Sequence, residues 1–249
     1  MVAAASKGIG LAVAQELAAE GCILSICART EEALEQAVEL IPGEARSYVV
    51  DVTSAEDLAW WVNETRTDLG APDILVTNTG GPPAGLVSDM TDEQWQAGFE
   101  STVLNVVRMS RLVRDEMIAK KWGRIVHLTS LVAREPSDLL PISSTLRSGL
   151  MALTRLQATD LAPHGVTVNA VQPGHTRTDR QTHLVEVRAQ KEGISLQEAE
   201  AKQVASVPMK RMAEAQEIAA AVAFLCSQRA AYITGTSVLV DGGLTKTFA

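Results

Sequence analysis

The chain has 249 residues, 46% of them apolar and 21% charged, with 17 glycines and a formal net charge of −8. This fits one large soluble α/β domain with a substantial core and excludes a disordered or fibrous chain. The acidic balance excludes a general nucleic-acid binder, which needs a basic face to neutralise phosphates, while leaving room for a local basic pocket.

No apolar run reaches membrane-spanning length, and no basic segment followed by an apolar one opens the chain. The expectation is a cytoplasmic protein with no membrane partner. Cys22, Cys27 and Cys226 lack CxxC spacing and read as free thiols in a reducing compartment, neither disulfide nor zinc ligands.

The hydrophobic period alternates between strand-like and helix-like segments. A short strand ends near Ala5, and a helix runs from about Gly8 to Glu20. Cys22 to Cys27 follows as a buried strand, then a helix capped by Thr30 and running to Leu40. Further β-branched runs occupy Ser47–Val50, Ile74–Thr77, Ile125–Leu128, Thr167–Ala170 and Ser237–Val240. Helical patterns cover 54–69, 91–121, 144–162 and 214–228. The fold class is therefore α/β: a single Rossmann-type doubly wound parallel sheet of about seven strands, helices on both faces, in one domain over 1–249. Segment 179–206 is polar and helical and reads as an insertion capping a site, or else as a solvated surface hairpin. Only Met1 to Ala5 are available for the central strand, so either that strand is very short or the start has been assigned late.

Ser6-Lys7-Gly8-Ile9-Gly10 stands where a strand feeds a helix. Glycines there let the backbone approach a pyrophosphate, and the helix N-terminus offers unpaired N–H donors with a favourable dipole. About twenty residues on, such folds place the group that meets the adenosine ribose. Here the strand ends in Arg29, with no carboxylate. A guanidinium clasps a 2′-phosphate with two hydrogen bonds, and Lys7 adds a second cation, so NADP(H) is expected ahead of NAD(H). An ordinary solvated arginine at a strand end is the alternative.

With these residues in place, nearly the whole chain resembles the short-chain dehydrogenase/reductase family, as a divergent member like the 3-oxoacyl-ACP reductases. The turn resembles Thr-Gly-x-x-x-Gly-x-Gly, with Ala3 and Ala4 in place of the Thr and first Gly. Asp51-Val52 resembles the pair that contacts adenine. Asn78-Thr79-Gly80-Gly81 resembles Asn-Asn-Ala-Gly. Pro173-Gly174-His175-Thr176-Arg177-Thr178 resembles the segment that holds the nicotinamide, and Tyr232–Gly235 with Asp241–Gly243 resembles the C-terminal signature. The resemblance implies cofactor contacts at Ser6, Lys7, Gly8, Ile9, Gly10, Arg29, Asp51, Val52, Asn78, Gly80, Arg147, Pro173, Gly174, Thr176 and Thr178. It also implies a carbonyl or alcohol substrate and a homo-oligomer, a dimer or tetramer, through the helices at 91–121 and 144–162.

The family's chemistry uses a tyrosine acid, a lysine that lowers its pKa, a serine on the substrate oxygen and an asparagine in a proton relay. Ser130 matches the serine. The tyrosine position holds Ser143, the lysine position Arg147 and the asparagine position Thr102. The chain's two tyrosines, Tyr48 and Tyr232, lie far from that stretch. A serine hydroxyl is a much weaker acid than a phenol, and arginine does not relay protons as lysine does.

Three readings stay open: an oxidoreductase with another proton donor (His175, Ser130 or a water held by Ser143 and Ser144), an NADP(H)-binding sensor without turnover, and a scaffold used for interaction. The cofactor signature argues against the third. Arg134, Glu135 and Asp138 either read a polar substrate or form a solvated loop. His127, His164 and His183 show no ligand spacing, and no metal is expected. Trp60 and Trp61 read as packing.

Overall fold

Aliphatic runs without polar alternation form strands buried on both faces, the pattern of a parallel sheet covered by helices. The computed structural model, which describes residues 1–246, follows this rule: β1 (Leu24–Ala28), β4 (Gly123–Leu128) and β5 (Val166–Pro173) are buried at every position. The remaining strands are β2 (Ala45–Val49), β3 (Ile74–Thr77) and β6 (Ser237–Val240). All pair in parallel, β1 with β2, and β3-β4-β5-β6 in that order.

The two groups are joined by the start of the chain. Val2 bridges Ile26 of β1 and Val76 of β3. Its N–H donates to Ser25 O at 2.9 Å and Ala3 N–H donates to Val76 O at 3.0 Å. Seven strand positions result, in the order β2, β1, Val2, β3, β4, β5, β6. The first strand expected to reach Ala5 is thus a single bridging residue, because Ala4 turns left-handed at φ +48° and ends the extended run.

Helices α1 (Gly8–Ala19), α2 (Glu31–Glu39) and α9 (Ala215–Cys226) cover one face. Helices α3 (Ala55–Leu69), α5 (Asn105–Lys120) and α6 (Pro141–Leu161) cover the other. Side-chain alternation along the strands feeds both cores: Ile26, Val76 and Val126 join the first, and Cys27, Leu75 and Ile125 the second. Trp61 is fully buried on α3, while Trp60 beside it is 46% exposed.

Several boundaries differ from expectation for local reasons. The helix expected over 91–121 is α4 (Asp92–Phe99), a π-helical turn at Glu100–Leu104, and α5. Cys22 belongs to the turn at Gly21, its N–H returning to Leu17 O at 3.0 Å, so β1 begins at Leu24. Thr30 occupies the N-cap of α2 without a side-chain bond. Proline at the first turn lets α6 start at Pro141.

The 179–206 segment is a helical pair, α7 (Asp179–Glu192) and α8 (Leu196–Ser206), with its own small core of Val185, Ala189, Ala199 and Met212. Residues 247–249 of the expected 1–249 domain lie outside the described residues. Among those described, no helix is long and apolar enough to cross a membrane.

Candidate active site

The carboxyl ends of a parallel sheet, where the strand order reverses, form the crevice in which such folds hold ligands. On one side of the reversal lies the turn from Val2 into α1. Lys7 is the N-cap of α1 and contributes no side-chain acceptor, and the first turn contains no acid. The N–H groups of Gly8, Ile9 and Gly10 therefore have no intrahelical acceptor and no local anion competes for them.

Gly8 sits at φ +57°, and a Cβ on Gly10 would run into Ala4 O and lie 2.9 Å from Asn78 Nδ2. Asn78 Nδ2 donates to Ala4 O at 3.1 Å, tying the end of β3 to the turn. Ser6 is half-buried beside it. This cradle suits a pyrophosphate. The unpaired donors and the side-chain-free approach at Gly10 fit a dinucleotide.

Arg29, at the end of β1, is exposed and has no ion pair among the described residues. Lys7 has an acid partner. Its ammonium donates to Asp179 Oδ2 at 2.7 Å, clasping the start of α7. Asp51 accepts from Thr53 N–H and Oγ1 through one oxygen, at 2.9 and 2.8 Å, and its own N–H donates to Asp57 at 2.9 Å. Val52 is half-buried in the same turn.

Beyond β4 lies the second cluster. Ser130 caps a short turn, its Oγ accepting from Val132 N–H at 3.4 Å. Arg147, one turn into the buried face of α6, donates through Nε to Ser143 Oγ at 3.2 Å. Its Nη1 donates to Leu128 O and Thr129 O at 3.0 and 2.9 Å. Burial pushes its pKa down to about 10, and the charge of Arg180 adds to this. Arg147 still carries its proton at neutral pH.

Thr102 is fully buried in the π-helical turn, with no partner for its hydroxyl, and Asn105 Nδ2 nearby is likewise unpartnered. No tyrosine joins the cluster: Tyr48 donates to Asp68 at 2.8 Å and Tyr232 is fully exposed.

The third edge follows β5. Gly174 N–H donates to Val240 O at 2.9 Å, and a Cβ at Gly174 would lie 2.7 Å from Asp241 Cα, so Pro173–Gly174 rests against the end of β6. Thr176 Oγ1 donates to Gly174 O at 3.2 Å, and Thr178 Oγ1 accepts from Gln181 N–H at 3.3 Å to cap α7. Gly80 is exposed, and the guanidinium of Arg180 lies against Gly81, Nη2 donating to Pro82 O at 2.6 Å.

His175, a candidate proton donor from the sequence, packs toward α8. Its Nδ1 meets Gln203 Nε2 of α8 at 2.9 Å, and the ring lines a cavity with Met209, Arg211, Glu217 and Asp241, apart from Ser130, Ser143 and Arg147. Burial, then the charge of Arg188, lowers its pKa and keeps it neutral. In the loop before α6, Arg134 donates to Gln172 at 2.8 Å, and Glu135 accepts from Lys246 N–H at 2.6 Å. Sequence reasoning missed Asp179 and Arg180. Their only signal was their place just after Thr178, at the start of a helix that folds back over the turn.

Comparison with known proteins places the fold and the family. The profile of a family described as enoyl-(acyl carrier protein) reductase matches residues 3–245. The 3-oxoacyl-[acyl-carrier-protein] reductase FabG of Escherichia coli (strain K12) is 34% identical over 244 residues, covering 98% of this chain and 96% of its own. The structure of L-sorbose reductase from Gluconobacter frateurii complexed with NADPH and L-sorbose superposes with a TM-score of 0.93 at 30% identity, over 99% of this chain and 96% of that one. NAD+-bound xylitol dehydrogenase superposes with a TM-score of 0.91 at 31% identity, over 97% and 96%.

Proposed function

The chain belongs to the short-chain dehydrogenase/reductase family, and on that premise we propose that it is an NADP(H)-dependent oxidoreductase interconverting a carbonyl and an alcohol. The observation that carries the reading is the cradle at α1, with an uncapped first turn, Gly10 pressed on Ala4 O, and Asn78 holding the turn to β3. Ser6, Lys7, Gly8, Ile9 and Gly10 would hold the pyrophosphate. Asp51 and Val52 would meet the adenine, Asn78 and Gly80 the adjoining ribose region, and Pro173, Gly174, Thr176 and Thr178 the nicotinamide side. Arg29, exposed and unpaired at the end of β1, supports a 2′-phosphate and hence NADP(H).

The bound nicotinamide supplies the hydride in reduction and takes it in oxidation. The residues of this chain handle the oxygen and its proton. Ser130 donates a hydrogen bond to the substrate oxygen. Ser143 stands where the family has its tyrosine, Arg147 where it has its lysine and Thr102 where it has its asparagine. Arg147 holds Ser143 Oγ with Nε and the end of β4 with Nη1, and its fixed positive charge stabilises an alkoxide. As the carbonyl carbon gains the hydride, a water held between Ser130 and Ser143 gives its proton to the oxygen, and solvent replaces it. Helices α7 and α8 cap this space. Exposed Phe99 on α4 and Leu156 on α6, 43% and 68% accessible, support assembly into a dimer or tetramer.

One observation favours a second reading, an NADP(H)-binding sensor without turnover. The titratable side chain of the serine cluster is Arg147, which does not exchange its proton near neutrality. Titrating the protein with NADPH and NADH, then following NADPH oxidation over a panel of carbonyl compounds, separates the two. Tight NADPH binding with turnover supports the enzyme. Tight binding with silence across the panel supports the sensor, and binding of neither nucleotide removes both.

A further inference from the structure

Two arginines stand at the carboxyl ends of the adjacent strands β3 and β4. Arg147 reaches there from α6, bonded to Leu128 O and Thr129 O at the end of β4. Arg180 reaches there from the first turn of α7, lying against Gly81 just beyond β3, where an added Cβ would sit 3.0 Å from Nη2 and 3.2 Å from Nε. β3 and β4 are adjacent, Thr77 facing His127 in register. After burial, the charge of Arg180 is the second cause that lowers the pKa of Arg147.

Neither has a carboxylate partner among the described residues, although Arg66, Arg108, Arg114, Arg177, Arg188 and Arg211 on the surface all do. Asp179, next to Arg180, is engaged with Lys7, and Glu135 in the loop before α6 accepts from Lys246 N–H. A buried, unpaired guanidinium is costly, and a second like charge beside it makes it more so. An anion placed between the two would offset that cost.

The donors for that anion are present. Arg147 Nη2, and Nε and Nη1 of Arg180, have no protein acceptor among the described residues. A guanidinium fork matches a carboxylate in two parallel bonds. Ser130 and Ser143 lie beside Arg147, where the reacting oxygen would sit.

We infer that Arg147 and Arg180 form a carboxylate clamp, and that the substrate of the proposed oxidoreductase is a short oxo acid, or the corresponding hydroxy acid, whose carboxylate the clamp holds. This inference rests on the proposed function for the hydride step, while the clamp itself rests on the two arginines. The other anion that could complete the pair is a phosphate of the dinucleotide.

The test is calorimetric titration of the NADPH-saturated protein and of the nucleotide-free protein with pyruvate and acetoacetate, against their methyl esters. The same titrations are run on Arg180→Gln and Arg180→Lys, each checked for an unchanged thermal melt. The expected result is binding of at least one acid about tenfold or more tighter than its ester, loss of that preference in Arg180→Gln, and partial return in Arg180→Lys. NADPH affinity should stay within about threefold in both variants. Equal binding of acid and ester, or binding of neither, overturns the clamp. So does an Arg180→Gln variant that loses NADPH while keeping its acid preference, which would assign the pair to the cofactor's phosphates. Acid preference in a protein that binds neither nucleotide would leave the clamp standing and remove the oxidoreductase reading.

Discussion

Replacing Arg29 with alanine gives the sharpest test of cofactor choice, because Lys7 already has an acid partner and Arg29 has none among the described residues. Arg29 is exposed and has no partner to lose, so its removal should not disturb the fold. If it clasps a 2′-phosphate through two charge-assisted bonds, Arg29→Ala removes about 1.5–3 kcal/mol, or about 10–150-fold in NADPH affinity. NADH has no 2′-phosphate, and its affinity should change by less than about twofold. Lys7 is a different case. It already binds Asp179 at 2.7 Å, with both side chains about three-quarters exposed (73% and 77%). Such surface pairs contribute about 0–1 kcal/mol, so Lys7→Ala should weaken NADPH by at most about fivefold. Asp179→Asn frees the ammonium and should leave NADPH binding equal or a few-fold tighter. Fluorescence titration with both nucleotides reads all three variants. Equal loss of NADH and NADPH in Arg29→Ala, or a larger effect at Lys7 than at Arg29, would refute the assignment.

Ala4→Gly should stabilise the protein by about 0.5–1 kcal/mol: relief of about 1–2 kcal/mol of left-handed strain at φ +48° exceeds the added freedom of the unfolded chain. A denaturant midpoint that falls would contradict this. His127 is buried between Thr77 and Gln157, and burial pushes its pKa down from 6.5 to about 4. The unfolded state therefore binds the extra proton between pH 6.5 and 4, and stability falls as pH drops through that window, by about 3 kcal/mol from this group. His127→Gln should flatten that limb in urea melts at pH 7 and 4.5, and an unchanged slope would exclude the mechanism. Installing Ser143→Tyr together with Arg147→Lys should create or raise carbonyl reductase activity at least about tenfold. Silence of a folded, NADPH-binding double variant would show that the surrounding pocket no longer accepts a carbonyl.

Much of the fold was legible because buried parallel strands and amphipathic helices write their periods locally. Ile74–Thr77 and Ser237–Val240 fall at the expected residues, and the α7–α8 pair fills the expected 179–206. What escaped was set by contacts distant in sequence. Val2 alone carries the central strand position because partners on both sides, Ile26 and Val76, satisfy its backbone. The break at Glu100–Leu104 is a local change of helix type that leaves the apolar period intact on either side. In the site, the glycine turn was readable since its spacing is local. The Lys7–Asp179 bond spans 172 residues and the Arg180 contact with Pro82 spans 98, so no local pattern announces either. His175 was offered as a donor from its near-neutral pKa and its loop, whereas the contact of its ring with Gln203 is decided by where α8 packs.

The residue types at 143 and 147 have a physical consequence that unites these observations. A lysine buried this completely beside another cation loses its proton readily, which is what makes buried lysines useful in proton relays. An arginine in the same place keeps its charge even with its pKa pushed down to about 10. Position 147 therefore carries a permanent cation, and the neighbouring Ser143 offers a hydroxyl that accepts from it at 3.2 Å and does not ionise. Such a pair is poor at moving protons and good at holding negative charge. Chemistry in this crevice then needs its proton from water, and its substrate orientation from the fixed charge. In the proposed clamp, Arg180 at the start of α7 answers the second need. The same helix start places Asp179 on Lys7 at 2.7 Å, so in the proposed clamp the acid beside Arg180 is already paired.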